Sequence, residues 1–175
     1  MRWEERLLDL FDDLEQQAAG LALGERDALV AEQSRAEYAG VDLGARLHAS
    51  AGSRVQVDVT GVGTLDGSLM RVGDGWCLLD VAGQGWVVAS SALASVRGLA
   101  GGAVPAAARS VTARLGLGSA LRGLAEDRAD VVLHRLDGQV LRGLLGRVGL
   151  DFLEVGGRAR VDVVPFTAMA ALRRG

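Results

Sequence analysis

The 175-residue sequence predicts a mainly β fold with helices (α+β): two tandem five-stranded small barrels, each preceded by a helix, behind an N-terminal amphipathic helix. Three observations predict it. After Gly52 the apolar residues change from helical to alternating spacing. The alternating pattern stops near Arg97 and returns at Asp130 after a second helical stretch. The two alternating regions overlay without a gap when the sequence is shifted by 76 residues, which places Gly67 on Gly143.

The elements follow in order. Residues 1–26 form an acidic segment whose residues 2–18 read as one amphipathic helix. Trp3, Leu7, Leu10, Phe11 and Leu14 recur at three- and four-residue spacing, opposite Asp and Glu. That apolar stripe either packs on the body of the protein or docks a partner. Residues 27–98 comprise a helix from about Asp27 to His48, weakened at Gly40 and Gly44, and then a set of short strands. In those strands Val55, Val57 and Val59 alternate with polar residues. Residues 99–104 are a small-residue linker. Residues 105–175 repeat the plan, with a helix from about Pro105 to Ala125 interrupted near Gly116–Gly118, then strands from Asp130 to Arg173. The shift that overlays Gly67 and Gly143 also places Arg71-Val72-Gly73 on Arg147-Val148-Gly149, Trp76 on Phe152, Val88 on Val164 and Arg97 on Arg173. Strands this short leave an open sheet with exposed edges; bending into a small barrel removes the edges and buries one face. Gly67 and Gly143 permit the bends.

Composition sets further bounds. With 49% hydrophobic and 23% charged residues the chain is too apolar for disorder, and it has no apolar run long enough for a membrane span. All 19 basic residues are Arg; Lys, Asn and Ile are absent, as in proteins of high-GC genomes. Net charge is −3, but unevenly spread: residues 1–49 carry −6 and residues 50–175 carry +3. The single cysteine, Cys77, excludes a disulfide framework and a Cys-based zinc site. The opening Met1-Arg2-Trp3-Glu4-Glu5 lacks the basic-then-apolar order of a signal peptide, so a cytoplasmic location is expected.

The second unit contains Leu136-Asp137-Gly138, Gly143-Leu144-Leu145, Asp151-Phe152-Leu153 and, before its last strand, Val163-Val164-Pro165. This pattern resembles the Sm-like (LSm, Hfq-type) family of small barrels, in an arrangement similar to tandem-barrel proteins of high-GC bacteria. SH3-like barrels share the same five-stranded plan. The interval from Gly143 to Asp151 is longer than the family's, so the intervening turn is altered. The resemblance implies RNA as a ligand, held by the turn at Gly149–Phe152 and the step at Pro165–Thr167. It also implies that the fourth strand of one barrel pairs with the fifth of the next. RNA-binding members carry an Asn that reads a base; the matching positions here are Val155 and Leu79, which offer no base-edge hydrogen bond.

Asp137-Gly138 reads as a hairpin turn. Trp76 and Phe152 read as core or rim, and Cys77 as an inert core thiol. Trp86, whose counterpart is Asp162, reads as an exposed contact or as packing against the helices. His48 and His134 have no fitting partners in sequence. The run Gly116–Gly123 fails the dinucleotide fingerprint because its third Gly is misplaced and no strand precedes it. Arg109, Arg114, Arg122 and Arg128 are near helical spacing, which would put several on one face. No catalytic constellation, metal cluster or nucleotide loop stands out, so neither an enzyme, a cofactor nor a small-molecule substrate is expected. The function expected first is non-catalytic binding of nucleic acid, most of all RNA, in regulation: Arg142, Arg147, Arg158 and Arg160 would meet phosphate while Phe166 stacks a base. The alternative is a protein-interaction or homo-oligomerisation scaffold that uses barrel edges and the acidic N-terminal helix. No membrane contact is expected.

Overall fold

The computed structural model describes residues 29, 32–157 and 160–175. The chain divides into two compact units, Met1–Val41 and Asp42–Gly175. In the first, residues 32–39 are helical and exposed. The expected helix of residues 27–48 is therefore not continuous. The backbone leaves helical geometry after residue 39, and Asp42, in extended conformation (φ −84°, ψ 161°), caps a separate helix, α1 (Leu43–Ala49), by accepting the N–H of Ala45. The amphipathic segment expected over residues 2–18 lies outside the described residues.

The second unit is a ten-stranded antiparallel sheet with helices. Its strands are β1 (Arg54–Val59), β2 (Gly63–Gly73), β3 (Trp76–Val81), β4 (Gln84–Ala89), β5 (Leu93–Arg97), β6 (Asp130–Arg135), β7 (Val140–Val148), β8 (Phe152–Gly156), β9 (Val161–Pro165) and β10 (Met169–Arg174). A helix, α2 (Leu117–Glu126), precedes β6. The strand order is β5-β1-β2-β3-β4-β10-β6-β7-β8-β9. The expectation of two separate barrels is corrected here. The two five-strand sets form one sheet because β4 and β10 pair, with Val88 opposite Ala171, Val87 opposite Leu172 and Trp86 opposite Arg173. Backbone groups of β4 that would otherwise need solvent are satisfied by the second set.

The sequence repeat is also a repeat of hydrogen-bond register. Val55 faces Gly67, and 76 residues on Val131 faces Gly143. Val72 faces Cys77, as Val148 faces Leu153. Trp76 faces Ala89, as Phe152 faces Pro165. Val57 faces Val96, as Leu133 faces Leu172. The irregularities recur as well: the first strand of each set is out of step with its fifth, and the second with its third. Such bulges sharpen twist and bending. Gly67 sits where a Cβ would lie 2.1 Å from the carbonyl oxygen of Asp80, so only glycine lets β2 and β3 approach there.

Two apolar cores follow. One gathers Leu47, Val57, Leu69, Leu79 and Val88 with Ala170 and Ala171 of the other repeat. The second gathers Leu121, Leu133, Leu145 and Leu153 with Trp76 and Val87 of the first repeat. Each repeat thus completes its core with residues from across the β4–β10 seam. Full burial of such a side chain contributes about 1.5–3 kcal/mol, so the seam is held by packing as well as by backbone pairing.

The stretch expected as helix from about Pro105 to Ala125, interrupted near Gly116–Gly118, is helical only from that interruption onward: two 3-10 turns, Ala106–Ala108 and Thr112–Arg114, precede α2, whose N-cap is Gly116. Ala-rich composition favours helix locally, but Leu115 is committed elsewhere: its carbonyl accepts Trp76 Nε1 at 2.8 Å and the N–H of Asp74 at 3.1 Å. Tertiary hydrogen bonds there override propensity. Consequently Arg109, Arg114, Arg122 and Arg128 lie on four different local structures and do not form one helical face.

Candidate interaction surfaces

The residues expected to meet RNA are placed apart. Arg147 and Arg128 lie in an open groove of about 440 Å³ that also includes Leu144, Glu154 and Val161. Arg160 lies in another, of about 290 Å³, with Arg135, Leu141, Asp162 and Pro165. Arg147 grips Glu154 with two hydrogen bonds, Nε to Oε2 at 3.2 Å and a terminal nitrogen to Oε1 at 3.1 Å, which holds the guanidinium still more firmly protonated. Arg160 donates twice to Asp162 Oδ1, at 3.2 and 3.1 Å. Both cations therefore spend their fork geometry on carboxylates of the same chain. Phe166 is half-buried in the 3-10 turn before β10, packed against the second core and beside Gly118 of α2. Arg142 is exposed and makes no ion pair among the described residues. Arg158, and the partner stripe of Trp3, Leu7, Leu10, Phe11 and Leu14, lie outside the described residues.

Two further arginines are similarly engaged. Arg109 bridges to Asp42 at 3.1 Å and donates to the carbonyl of Val104, while Arg122 donates to the carbonyl of Gly149 at 3.3 Å. The N–H of Ala45, then the charge of Arg109, lower the carboxyl pKa of Asp42. Asp137-Gly138 forms the expected hairpin turn: Gly138 has φ +82°, and Asp137 accepts from Gln139 N–H and from Arg135. Trp76 is buried. So is Cys77, whose thiol burial pushes up to about 12, leaving no thiolate near neutrality.

Chemistry concentrates at the seam instead. Trp86 on β4 is half-buried against the first core. Its ring is tilted against His134 of β6, centroids 5.2 Å apart, and the Arg173 guanidinium lies 5.4 Å from its centroid. His134 Nε2 is buried without a hydrogen-bond partner. Burial, then the charges of Arg173 and Arg142, lower its pKa from the ordinary 6.5. Trp86 and His134 are conspicuous one by one in the sequence; the fourth-with-fifth strand pairing was expected, but its register, which brings these two rings together, was not.

The other two surfaces are the sheet's edges, β5 and β9. On β9, Val161 and Val163 are exposed large apolar residues. On β5, Ala94 and Arg97 are exposed and Val96 is half-buried. Arg97 bonds Asp58 at 3.2 Å and Gln56 at 3.1 Å. Unpaired strand edges are ready templates for another strand.

Among the described residues no cluster of three or more His, Cys, Asp or Glu side chains is placed to hold a metal ion, and no helix is long and apolar enough to cross a membrane. No family model and no curated protein matches the chain.

Proposed function

We propose that the chain is a non-catalytic interaction scaffold: two small barrels of the Sm-like kind joined edge to edge, whose free edges and rims bind other macromolecules. The barrel reading is supported by the order β5-β1-β2-β3-β4 and its repetition, by bulges at matching places, and by one apolar core per repeat. A single observation carries the scaffold reading. The joint between the repeats is itself an edge-to-edge strand pairing, β4 with β10, and among the described residues a fourth-type edge (β9) and a fifth-type edge (β5) have no further partner strand. The test is purification of the full chain under native conditions, followed by mass measurement and identification of bound protein. Assembly with itself or with another protein supports the reading; a lone chain that retains no partner overturns it.

RNA binding is the second reading, favoured by the +3 charge of residues 50–175 and by the exposed Arg142, which makes no ion pair among the described residues. Its mechanism is neutralisation of phosphate by Arg142, with Arg147 and Arg160 exchanging their carboxylates for phosphate. It predicts affinity for a single-stranded RNA that falls steeply as salt rises and weakens in Arg142→Ala. Salt-independent binding, or an unchanged variant, removes this site.

A further inference from the structure

The two repeats match strand for strand, yet their side chains diverge around one groove. Leu144 on β7 faces Gly156 on β8, and Gly156 faces Val161 on β9, so the three share one face of the sheet. Leu144 is 47% exposed and Val161 54%. Gly156 carries no side chain, so the other two stand as walls on strands about 10 Å apart, two strand spacings. Gly146 and Gly157 extend the floor between them. The first repeat has the opposite arrangement: Ser68 and Gly85 at the wall positions, and Met70, Asp80 and Val81 at the floor positions.

The rim of this groove is cationic. Arg147, though forked onto Glu154, is 88% exposed and keeps further N–H donors. Arg128 makes no ion pair among the described residues. Its backbone is left-handed, φ +45°, a conformation that disfavours any side chain. The same position in the first repeat is Gly52, φ +86°, which meets no such penalty. The turn before the first strand calls for a left-handed residue, and only the second repeat places an arginine on it, beside the groove. Strain kept in one repeat and avoided in the other points to a use for that guanidinium.

The groove is thus shaped for an apolar side chain flanked by carboxylates. Residues 9–15, Asp-Leu-Phe-Asp-Asp-Leu-Glu, set Leu10, Phe11 and Leu14 among four carboxylates with no cation. They belong to the stretch of residues 2–18 that the sequence reads as an amphipathic helix, with two arginines, six acids and a net charge of −4. We infer that this acidic segment of one chain docks in the β7–β9 groove of a second copy, its apolar stripe over the glycine floor and its carboxylates on Arg128 and Arg147. The inference rests on the scaffold reading and names both the surface and its occupant. The stretch between the segment and α1 is exposed at every position from 32 to 40, as suits an arm offered to another molecule. Each chain gives an arm and receives one. The contact is therefore heterologous, and its repetition closes a ring or extends a chain of molecules.

The test is sedimentation velocity of the full chain in four samples: wild type, Arg128→Glu, the double variant Asp12→Arg with Asp13→Arg, and an equimolar mixture of the two variants. Wild type associates. Each variant alone opposes like charges and associates about tenfold more weakly. The mixture regains association, because the changed arm of one variant suits the changed groove of the other and their unchanged parts suit each other. That recovery also shows that both variants fold. In a second measurement, an excess of a synthetic peptide of residues 1–18 competes for the groove and returns wild type to its 18.2 kDa mass. A peptide of the same composition in scrambled order leaves the assembly intact. Self-association that neither charge change weakens, that the mixture does not recover, or that the peptide does not dissolve overturns the inference and leaves the scaffold reading standing. So does a chain that is monomeric by itself but holds a different protein. Single-stranded RNA released by Arg128→Glu, with self-association unchanged, gives the groove to nucleic acid and overturns the inference as well. A monomer that holds nothing overturns both the inference and the scaffold reading.

Discussion

His134 shows how one side chain acquires its properties from the seam. Its imidazole lies against Trp86, its Nε2 has no partner, and Arg173 and Arg142 add positive charge nearby. Burial is the larger cause of its lowered pKa, the two arginines the smaller. The native state therefore holds neutral imidazole at pH values where the unfolded chain already binds a proton. Stability from this source is complete above the ordinary value of 6.5 and is lost as pH falls from there toward the lowered native value. His48 is shifted in the same direction, chiefly by burial and then by Arg109, so it serves as the control. Thermal melts from about pH 7.5 to about pH 5.5 are expected to show a smaller acid loss in His134→Gln than in wild type. An unchanged loss in His134→Gln, with the loss abolished in His48→Gln, would move the effect away from the seam. Neither histidine's environment was legible in the sequence, because each is made by residues distant along the chain.

Among the elements, strands were more legible than helices. Alternation at Val55, Val57 and Val59 and the repeat spacing located β1 and β6, whose bounds differ by the same 76 residues. The hairpin at Asp137-Gly138 was equally plain, because its chemistry is local. The helices were read too long. Gly40 did mark a break, but the new start at Asp42 was hidden inside an otherwise helical pattern, and Pro105 read as the first turn of a helix whose path is interrupted where Trp76 and Asp74 bind the carbonyl of Leu115. The cap is a testable consequence. Asp42 accepts from Ala45 and pairs with Arg109, tying α1 to the segment before α2. Asp42→Ala is expected to cost about 1 kcal/mol in urea unfolding, as N-cap truncations do. Asp42→Asn retains an N-cap acceptor while losing the ion pair, and is expected to recover most of that loss. Equal losses in the two variants would assign the effect to the ion pair rather than the cap.

At the scale of the whole molecule, the repeat was written in the residues themselves, whereas its joining, β4 with β10, was expected only through the family resemblance, as a fourth strand pairing with a fifth. The apolar phase of the two units reports which face of each strand is buried, and says nothing of which edge meets which. Val87 and Val163 are the same residue type at equivalent positions, yet one is buried and the other exposed: β4 has a strand on both sides, β3 and β10, whereas β9 is paired only with β8. The arginines expected to gather on RNA instead occupy separate grooves, two of them forked onto Glu154 and Asp162, since carboxylates in the same strands or turns reach them first. Asp162 is at once the partner of Arg160 and the counterpart of Trp86, on the end strand β9. The sheet ends in β5 and β9, the strands equivalent by repeat to β10 and β4 of the internal joint. The most direct measurement is sedimentation velocity of the unmodified full chain over a wide concentration range. The account predicts species heavier than the 18.2 kDa chain, growing with concentration. A single 18.2 kDa species at every concentration, with no other protein bound, would contradict it.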